Sequence, residues 1–320
     1  MLIISKEDIE KAVDSSELVS AIERAYIIQD KASTNIPDRM HIDSDENTLL
    51  LMPGFIDSVF GTKLVSLFPE NAKENKPVLY GVMVLNDAQT GEPLAIINGS
   101  KLTAMRTAAV GATAVKYLSP FMAQTLGIIG AGVQAYHQAL IVSAQRPFRK
   151  LIICDKNLSK AEVIKEELES KLENISIEVT NDSNQLVMDS DVIVTATSSN
   201  KPVFDVDIEK LNNKTFVGIG SYKPDMQEFP LSLYNAVDKV YVDTLHAKKE
   251  CGDIKIPLKK GLIEDSNIIP FSSVLTSGEL LNEAPFSIFK SVGMSLFDLT
   301  VAELIYNNAK EKGLGTEVNI

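Results

Sequence analysis

The stretch TLGIIGAGVQA at residues 125–135 constrains the fold of this chain more than any other. Leu126, Ile128 and Ile129 make a short apolar run of the kind found in a strand buried on both faces. It runs directly into Gly130-Ala131-Gly132-Val133-Gln134-Ala135, which has the G-x-G-x-x-A spacing of a dinucleotide-binding turn. Gly130 permits the tight turn, Gly132 lets backbone N–H groups approach a pyrophosphate, and Ala135 lets the next helix pack close to the strand. An anion at the start of that helix meets unpaired N–H groups and the positive end of the helix dipole. A second apolar run, LIIC at 151–154, ends in Asp155, an acid placed to accept from ribose hydroxyls and to repel a 2′-phosphate. The expected cofactor is therefore NAD, with Lys156 beside Asp155 leaving NADP possible. A glycine turn that serves packing alone is the competing reading, and the strand–turn–helix context weighs against it.

After residue 119 short apolar runs alternate with helical segments: IIGAG, LIICD, ISIEV, DVIVTATS, TFVGIGS with a further helix behind it, and KVYVDT. That pattern predicts a doubly wound parallel sheet of Rossmann type. The region before it differs. Helices are expected at 5–13 and 16–32, followed by strands at 40–42, 48–55, 61–68, 78–87 and 93–99, with a hairpin turn at 87–91. It reads as an antiparallel, strand-rich α+β domain. A helix of small residues at 100–118 leads through Ser119-Pro120 into the nucleotide domain, and a strong helix starts near Leu296.

With 320 residues and 45% hydrophobic content, the chain can bury a core in each of two domains. A net charge of −12 argues against nucleic acid or anionic membrane as partner. Two cysteines, no basic-then-apolar leader and no apolar run of membrane length fit a soluble cytoplasmic protein. The three histidines lie in separate elements without a neighbouring cysteine or carboxylate at ligand spacing, so no metal site is expected.

Four ionic positions stand out against apolar or small surroundings. Arg39 precedes the first short strand, Lys63 interrupts GTKLVS, Arg106 lies in the helix TAMRTAAVGA, and Asp225 follows Pro224 in the loop after a parallel strand. Three cations converging on one cleft would suit a carboxylate-bearing substrate, because guanidinium grips carboxylate with two parallel hydrogen bonds. Three of the four also have a plainer reading: Arg39 as a solvated loop residue, Lys63 extending from a strand edge to water, and Asp225 as a turn former; Arg106, on a helix of small residues, is less easily dismissed. Ligands in open α/β sheets bind beyond the carboxyl ends of the strands, which puts Thr195, Ala196, Thr197 and Ser198, Gly220, Tyr222 and Asp225 near the cofactor.

The pieces GTKLVSLFPEN, LNDAQTGEPLAIINGSKLTAMRTAAVGA, LGIIGAGVQA, VGIGSYKPDMQE and FKSVGMSLFDLTVAELIY occur in this order along nearly the whole chain. Together they resemble the ornithine cyclodeaminase and mu-crystallin family. The resemblance implies a homodimer in which residues 1–119 with 294–320 form a substrate-binding and dimerising domain, and 120–293 the Rossmann domain. It implies that Arg39, Lys63 and Arg106 hold the substrate carboxylate, with Lys63 also an acid–base candidate; in our reading Lys63 or Asp225 would supply or accept the proton. Ser291, Val292 and Gly293 would lie near the nicotinamide, and Asp298 would be a structural acid on the last helix. The chemistry implied is hydride transfer at the α-carbon of a small amino or cyclic imino acid, by ketimine or pyrroline-carboxylate reduction or amino acid dehydrogenation. Ornithine cyclodeamination with recycled NAD, and a non-catalytic NAD(P)-regulated binding protein, are the alternatives. One departure favours imine reduction: where cyclodeaminases carry an aspartate two residues before the loop proline, this chain has Tyr222, and the acid comes after the proline at Asp225.

Overall fold

The computed structural model describes residues 1–29, 31, 33–74, 76–278, 281 and 286–319, with no side-chain description at 210. The chain divides into two compact units, Met1–Arg106 with Met294–Ile320, and Thr107–Gly293.

The first unit opens with β1 (Leu2–Ile4), then α1 (Lys6–Ala12) and α2 (Ser15–Ile28). Both helices start at capping boxes: Ser5 pairs with Asp8, and Asp14 with Glu17. Each box satisfies backbone donors that a helix start leaves open. Helix α2 ends before the expected limit, and Ala32, taken as its last residue, lies outside the described residues. Four long strands follow in meander order, β2 (Met40–Ser44), β3 (Asn47–Phe55), β4 (Val59–Leu67) and β5 (Leu79–Asp87), and then β6 (Pro93–Asn98). Helix α3 (Gly99–Leu118) comes next.

The second unit supplies β7 (Thr125–Ile129), α4 (Val133–Val142), β8 (Lys150–Cys154), α5 (Leu158–Glu169), β9 (Ser176–Thr180), α6 (Ser183–Asp189) and β10 (Val192–Thr195). It continues with β11 (Lys214–Gly218), β12 (Val240–Val242), α7 (Ala247–Glu250), α8 (Gly252–Lys259), β13 (Ile268–Pro270), α9 (Phe271–Ser277) and β14 (Phe286–Lys290). The chain then returns to the first unit through α10 (Ser295–Glu311) and β15 (Thr316–Glu317).

The first unit's sheet has the order β15-β1-β6-β5-β4-β3-β2. It is mixed, not purely antiparallel: β1 runs parallel to β6 and antiparallel to β15. Strand alternation sorts its residues sharply. On one face Met52, Lys63, Met83 and Ile97 sit opposite one another across β3, β4, β5 and β6, and all are buried. Helix α10 packs against β3 and β4. On the other face Met40, Leu51, Leu64 and Val82 form an equivalent row, and Met40, Leu64 and Val82 are exposed.

The second unit's sheet is parallel throughout, in the order β13-β12-β14-β11-β10-β7-β8-β9. The order reverses between β7 and β10, the switch point beyond which such sheets bind ligands. A 3₁₀ turn at Leu231–Ala236 stands where a helix was expected after β11.

The boundary between units falls inside α3 at Arg106, not at residue 119. The later turns of α3 are fastened to the nucleotide-type unit. Gln138 Nε2 donates to the Thr107 carbonyl at 3.1 Å, and Thr215 Oγ1 to that of Leu118 at 3.3 Å. Arg146 caps the helix end through the carbonyls of Lys116 and Ser119.

Candidate active site

The first unit contains a buried ionic cluster with a single acid at its centre. Lys63 Nζ donates to Asp298 Oδ1 at 2.8 Å, and Arg106 Nε donates to the same oxygen at 3.0 Å. Lys63 is 1% exposed, Arg106 6% and Asp298 0%, so water screens these charges little. Lys63 reaches the cluster because strand alternation points it into the apolar row beneath α10. Asp298 lies in the first turn of that helix.

Burial lowers the Lys63 ammonium from 10.5 to about 8; the Asp298 charge opposes this, and the Arg106 and Arg39 charges add to it. Arg39 is thus close enough to act on Lys63, from the half-buried segment just ahead of β2. Of the three cations expected from sequence, Lys63 and Arg106 meet on Asp298, and Arg39 lies near enough for its charge to act on Lys63. Asp298, expected as a structural acid, is the counter-charge that Lys63 and Arg106 share.

Two features leave polar groups of this cluster uncommitted. The Nη groups of Arg106 make no hydrogen bond among the described residues, so its fork of donors is available. Asp298 Oδ2 is buried and likewise has no hydrogen-bond partner among them. An uncommitted guanidinium fork beside a lysine fits a carboxylate, and an unsatisfied carboxylate oxygen fits an N–H donor.

The second unit holds a cavity of about 730 Å³ at the sheet's switch point. Gly130, Asp155, Lys156, Thr197, Ser198 and Asp225 line it, together with Asn181, Ser183, Tyr222 and Lys223. Gly130 has φ +113°, and a Cβ there would lie 2.6 Å from the Ala196 carbonyl oxygen, so a side chain is excluded twice over. Gly132 differs: a Cβ there would meet nothing within 4 Å. The space over Gly132 is open at the N-terminus of α4, and no side chain caps that helix. An uncapped helix start under open space suits a pyrophosphate.

Asp155 is fixed at the end of β8, with Oδ2 accepting from Ala131 N at 2.9 Å and Oδ1 from Asn157 N at 2.8 Å. These residues fit a dinucleotide.

The remaining cofactor candidates divide by position. Val133 is 68% exposed at the mouth of α4, and Gln134 follows it, whereas Ala135 is buried beneath the helix. Thr195 is buried at the end of β10. Ser291, Val292 and Gly293 are drawn onto Asp243: its Oδ2 accepts from Ser291 Oγ, Val292 N and Gly293 N at 2.7, 3.0 and 2.7 Å. Gly220 donates its N–H to Glu228 Oε2 at 2.8 Å. Asp225 is exposed, and its carboxylate makes no hydrogen bond among the described residues.

Sequence reasoning did not single out Glu228 or Asp253. Both are fully buried in segments whose composition reads as ordinary loop and helix start.

Known proteins are similar along the whole length. The model of the ornithine cyclodeaminase/mu-crystallin family matches residues 1–313. A Delta(1)-pyrroline-2-carboxylate reductase of Bacillus thuringiensis subsp. konkukian is 34% identical, over 99% of this chain and 99% of that one. The solved Thermococcus litoralis Delta(1)-pyrroline-2-carboxylate reductase in complex with NADH and L-proline superposes with a TM-score of 0.92, at 32% identity, over 99% of this chain and all of that one (100%). An archaeal alanine dehydrogenase dimer with bound NAD gives 0.91 at 27% identity, over 100% of this chain and 99% of that one. With one cation cluster, one glycine turn and a match running from the first residue to 313, the chain belongs to the ornithine cyclodeaminase/mu-crystallin family.

Proposed function

We propose that this chain is an NAD-dependent oxidoreductase that reduces a small cyclic imino acid, of the pyrroline-carboxylate type, to the corresponding amino acid. The observation that carries the reading is the buried cluster of Lys63 and Arg106 on Asp298, with Arg39 near it. The solved relatives with NADH and L-proline, and with NAD, support the cofactor and the class of substrate.

When bound, the dinucleotide supplies the hydride. Gly130, Gly132, Asp155, Lys156, Thr197 and Ser198 are the residues that would hold it. Arg39 and Arg106 take the substrate carboxylate, which orients the C=N carbon. Lys63 gives its proton to the imine nitrogen as the carbon gains hydride, leaving a neutral lysine and a secondary amine. A group near pKa 8 is largely protonated at neutral pH and still yields its proton readily. Asp298 keeps Lys63 charged, and its Oδ2 can accept from the product N–H. Of the two acid–base candidates, Lys63 is favoured over the exposed Asp225.

The exposed row of Met40, Leu64 and Val82 supports a homodimer formed through that sheet face, since apolar surface in a contiguous row marks an interface. Tyr222 in place of the cyclodeaminase aspartate supports reduction over cyclodeamination.

The test is a panel of cyclic imino acids, alanine and ornithine with NADH, NADPH and the oxidised forms. Loss of the reduced-nicotinamide absorbance with a cyclic imino acid is the expected result. Ammonia and proline from ornithine with no net absorbance change would mean cyclodeamination instead. Nucleotide binding without turnover on any substrate would mean a binding protein.

A further inference from the structure

A group that no part of this reaction uses sits behind the cavity of the second unit. Glu228 is 0% exposed, and its carboxylate accepts four hydrogen bonds from two different loops. Oε1 takes Thr197 N–H at 2.7 Å and Thr197 Oγ1–H at 2.9 Å; Oε2 takes Gly220 N–H at 2.8 Å and Ser221 N–H at 3.0 Å. The first loop leaves β10 and the second leaves β11, and both line the cavity, through Thr197 and Ser198 on one side and Tyr222 and Lys223 on the other. Glu228 itself does not line it.

The backbone of Glu228 is held just as firmly. Asp253 Oδ1 accepts from Glu228 N and Phe229 N at 2.9 Å each. The Glu228 carbonyl takes Val203 N–H at 2.8 Å, and Gln227 N–H donates to the Ser199 carbonyl at 3.0 Å. The charge is matched by Lys290, also 0% exposed, whose Nζ lies 3.7 Å from Glu228 Oε2 and 3.6 Å from Asp253 Oδ2. Lys290 is the last residue of β14, immediately before the Ser291–Gly293 segment that Asp243 gathers.

Burying two carboxylates and one ammonium is costly, and a packing role would be met at lower cost by apolar residues. A carboxylate is nevertheless the only side chain with acceptor capacity for four donors and no donor of its own. The arrangement makes sense where two loops must be registered on each other to a fraction of an ångström.

We propose that Glu228, neutralised by Lys290, is a positioning residue for the dinucleotide: it locks the loops after β10 and β11 into the shape of the cofactor cavity. This rests on the dinucleotide reading above.

The experiment measures NADH affinity by quenching and enhancement of nicotinamide fluorescence, beside the melting temperature, for four proteins. Glu228→Gln keeps the shape but turns an amide –NH₂ toward two of the four donors. Lys290→Met removes the counter-charge without touching any atom that lines the cavity. Val217→Ala, a core truncation in β11 that removes none of the carboxylate's hydrogen-bond partners, reports the effect of lost stability. The expected result is an NADH dissociation constant raised on the order of 10-fold in Glu228→Gln and Lys290→Met, the usual scale for losing a support behind a bound group. Val217→Ala should bind NADH as the wild type does, at a comparable loss of melting temperature. Should Glu228→Gln not fold, Lys290→Met decides the matter by itself. Unchanged affinity in the polar variants, or weakening in step with melting temperature across all three, would overturn the inference. A wild-type chain that bound no NADH would instead overturn the dinucleotide reading, and this inference with it.

Discussion

Asp298→Asn is the perturbation that reads the chemistry of the cation cluster most directly. The amide matches the carboxylate in size and keeps one carbonyl acceptor, but it removes the negative charge that Lys63 Nζ meets at 2.8 Å. At that separation and an effective dielectric constant of about 20, the lost attraction is at most about 6 kcal/mol. Opposite charges this close usually move a neighbour by about 1–3 pH units. Lys63 starts at about 8 with Asp298 holding it up, so the variant's lysine should titrate near 5–7. If Lys63 delivers the proton, imine reduction falls as pH rises through that value, because only the ammonium form is competent. A shift of about two pH units cuts the protonated fraction at pH 8 from about one half to about 1%, a roughly fifty-fold loss of rate. The assay is kcat/KM for NADH oxidation from pH 5 to 9, at saturating NADH, for wild type and variant. A variant whose basic limb stays near pH 8, merely scaled down, would refute Lys63 as the donor that Asp298 tunes.

Arg106→Ala should raise KM for the imino acid or lower turnover by about 10- to 150-fold, the worth of about 1.5–3 kcal/mol for a charged hydrogen bond, with NADH affinity intact; loss of NADH binding would show Arg106 to be misassigned. Lys63→Met should abolish most turnover without lowering the melting temperature at neutral pH. The folded-state pKa is depressed to about 8 from 10.5, so the charged lysine costs stability below about pH 8, and that cost is relieved as pH rises toward 10.5. Substitution removes the cost, and calorimetry at pH 7 and pH 10 checks the sign. Gly130→Ala should destabilise by about 1–3 kcal/mol, from its φ of +113° and the Ala196 carbonyl at 2.6 Å. Gly132→Ala should melt like wild type yet bind NADH more weakly, as its added methyl enters open space over α4. Asp155→Ala should narrow the preference for NADH over NADPH by about tenfold in side-by-side titrations.

The doubly wound unit was legible because a strand covered on both faces must be apolar along its length, as in Leu126–Ile129 and Leu151–Cys154. A three-residue strand carries little pattern of its own; β12 is read from the strand–helix alternation ahead of it, and β1 has no such frame. So β1 was missed, and with it the parallel pairing that makes the first sheet mixed. Lys63 and Arg106 announced themselves as charges among residues that a core would accept. Asp298 did not: an acid in the first turn of a helix is explained by the helix dipole alone. Its partners lie far off in sequence, so only the folded chain reveals the pairing. Glu228 was hidden for a related reason, since QEFP looks like solvated loop until four donors are found on its carboxylate.

The first unit is assembled from two stretches, Met1–Arg106 and Met294–Ile320, that the whole second unit separates in sequence. Residues 107–293, by contrast, are one contiguous stretch. The first unit's sheet therefore takes its edge strand β15 and its covering helix α10 from residues that follow the second unit. Without Asp298, Lys63 and Arg106 have no counter-ion for burial, so the cation cluster forms only where both stretches are joined. A version cut after Gly293 would therefore keep every residue of the second unit and lose the carboxylate on which the cations meet.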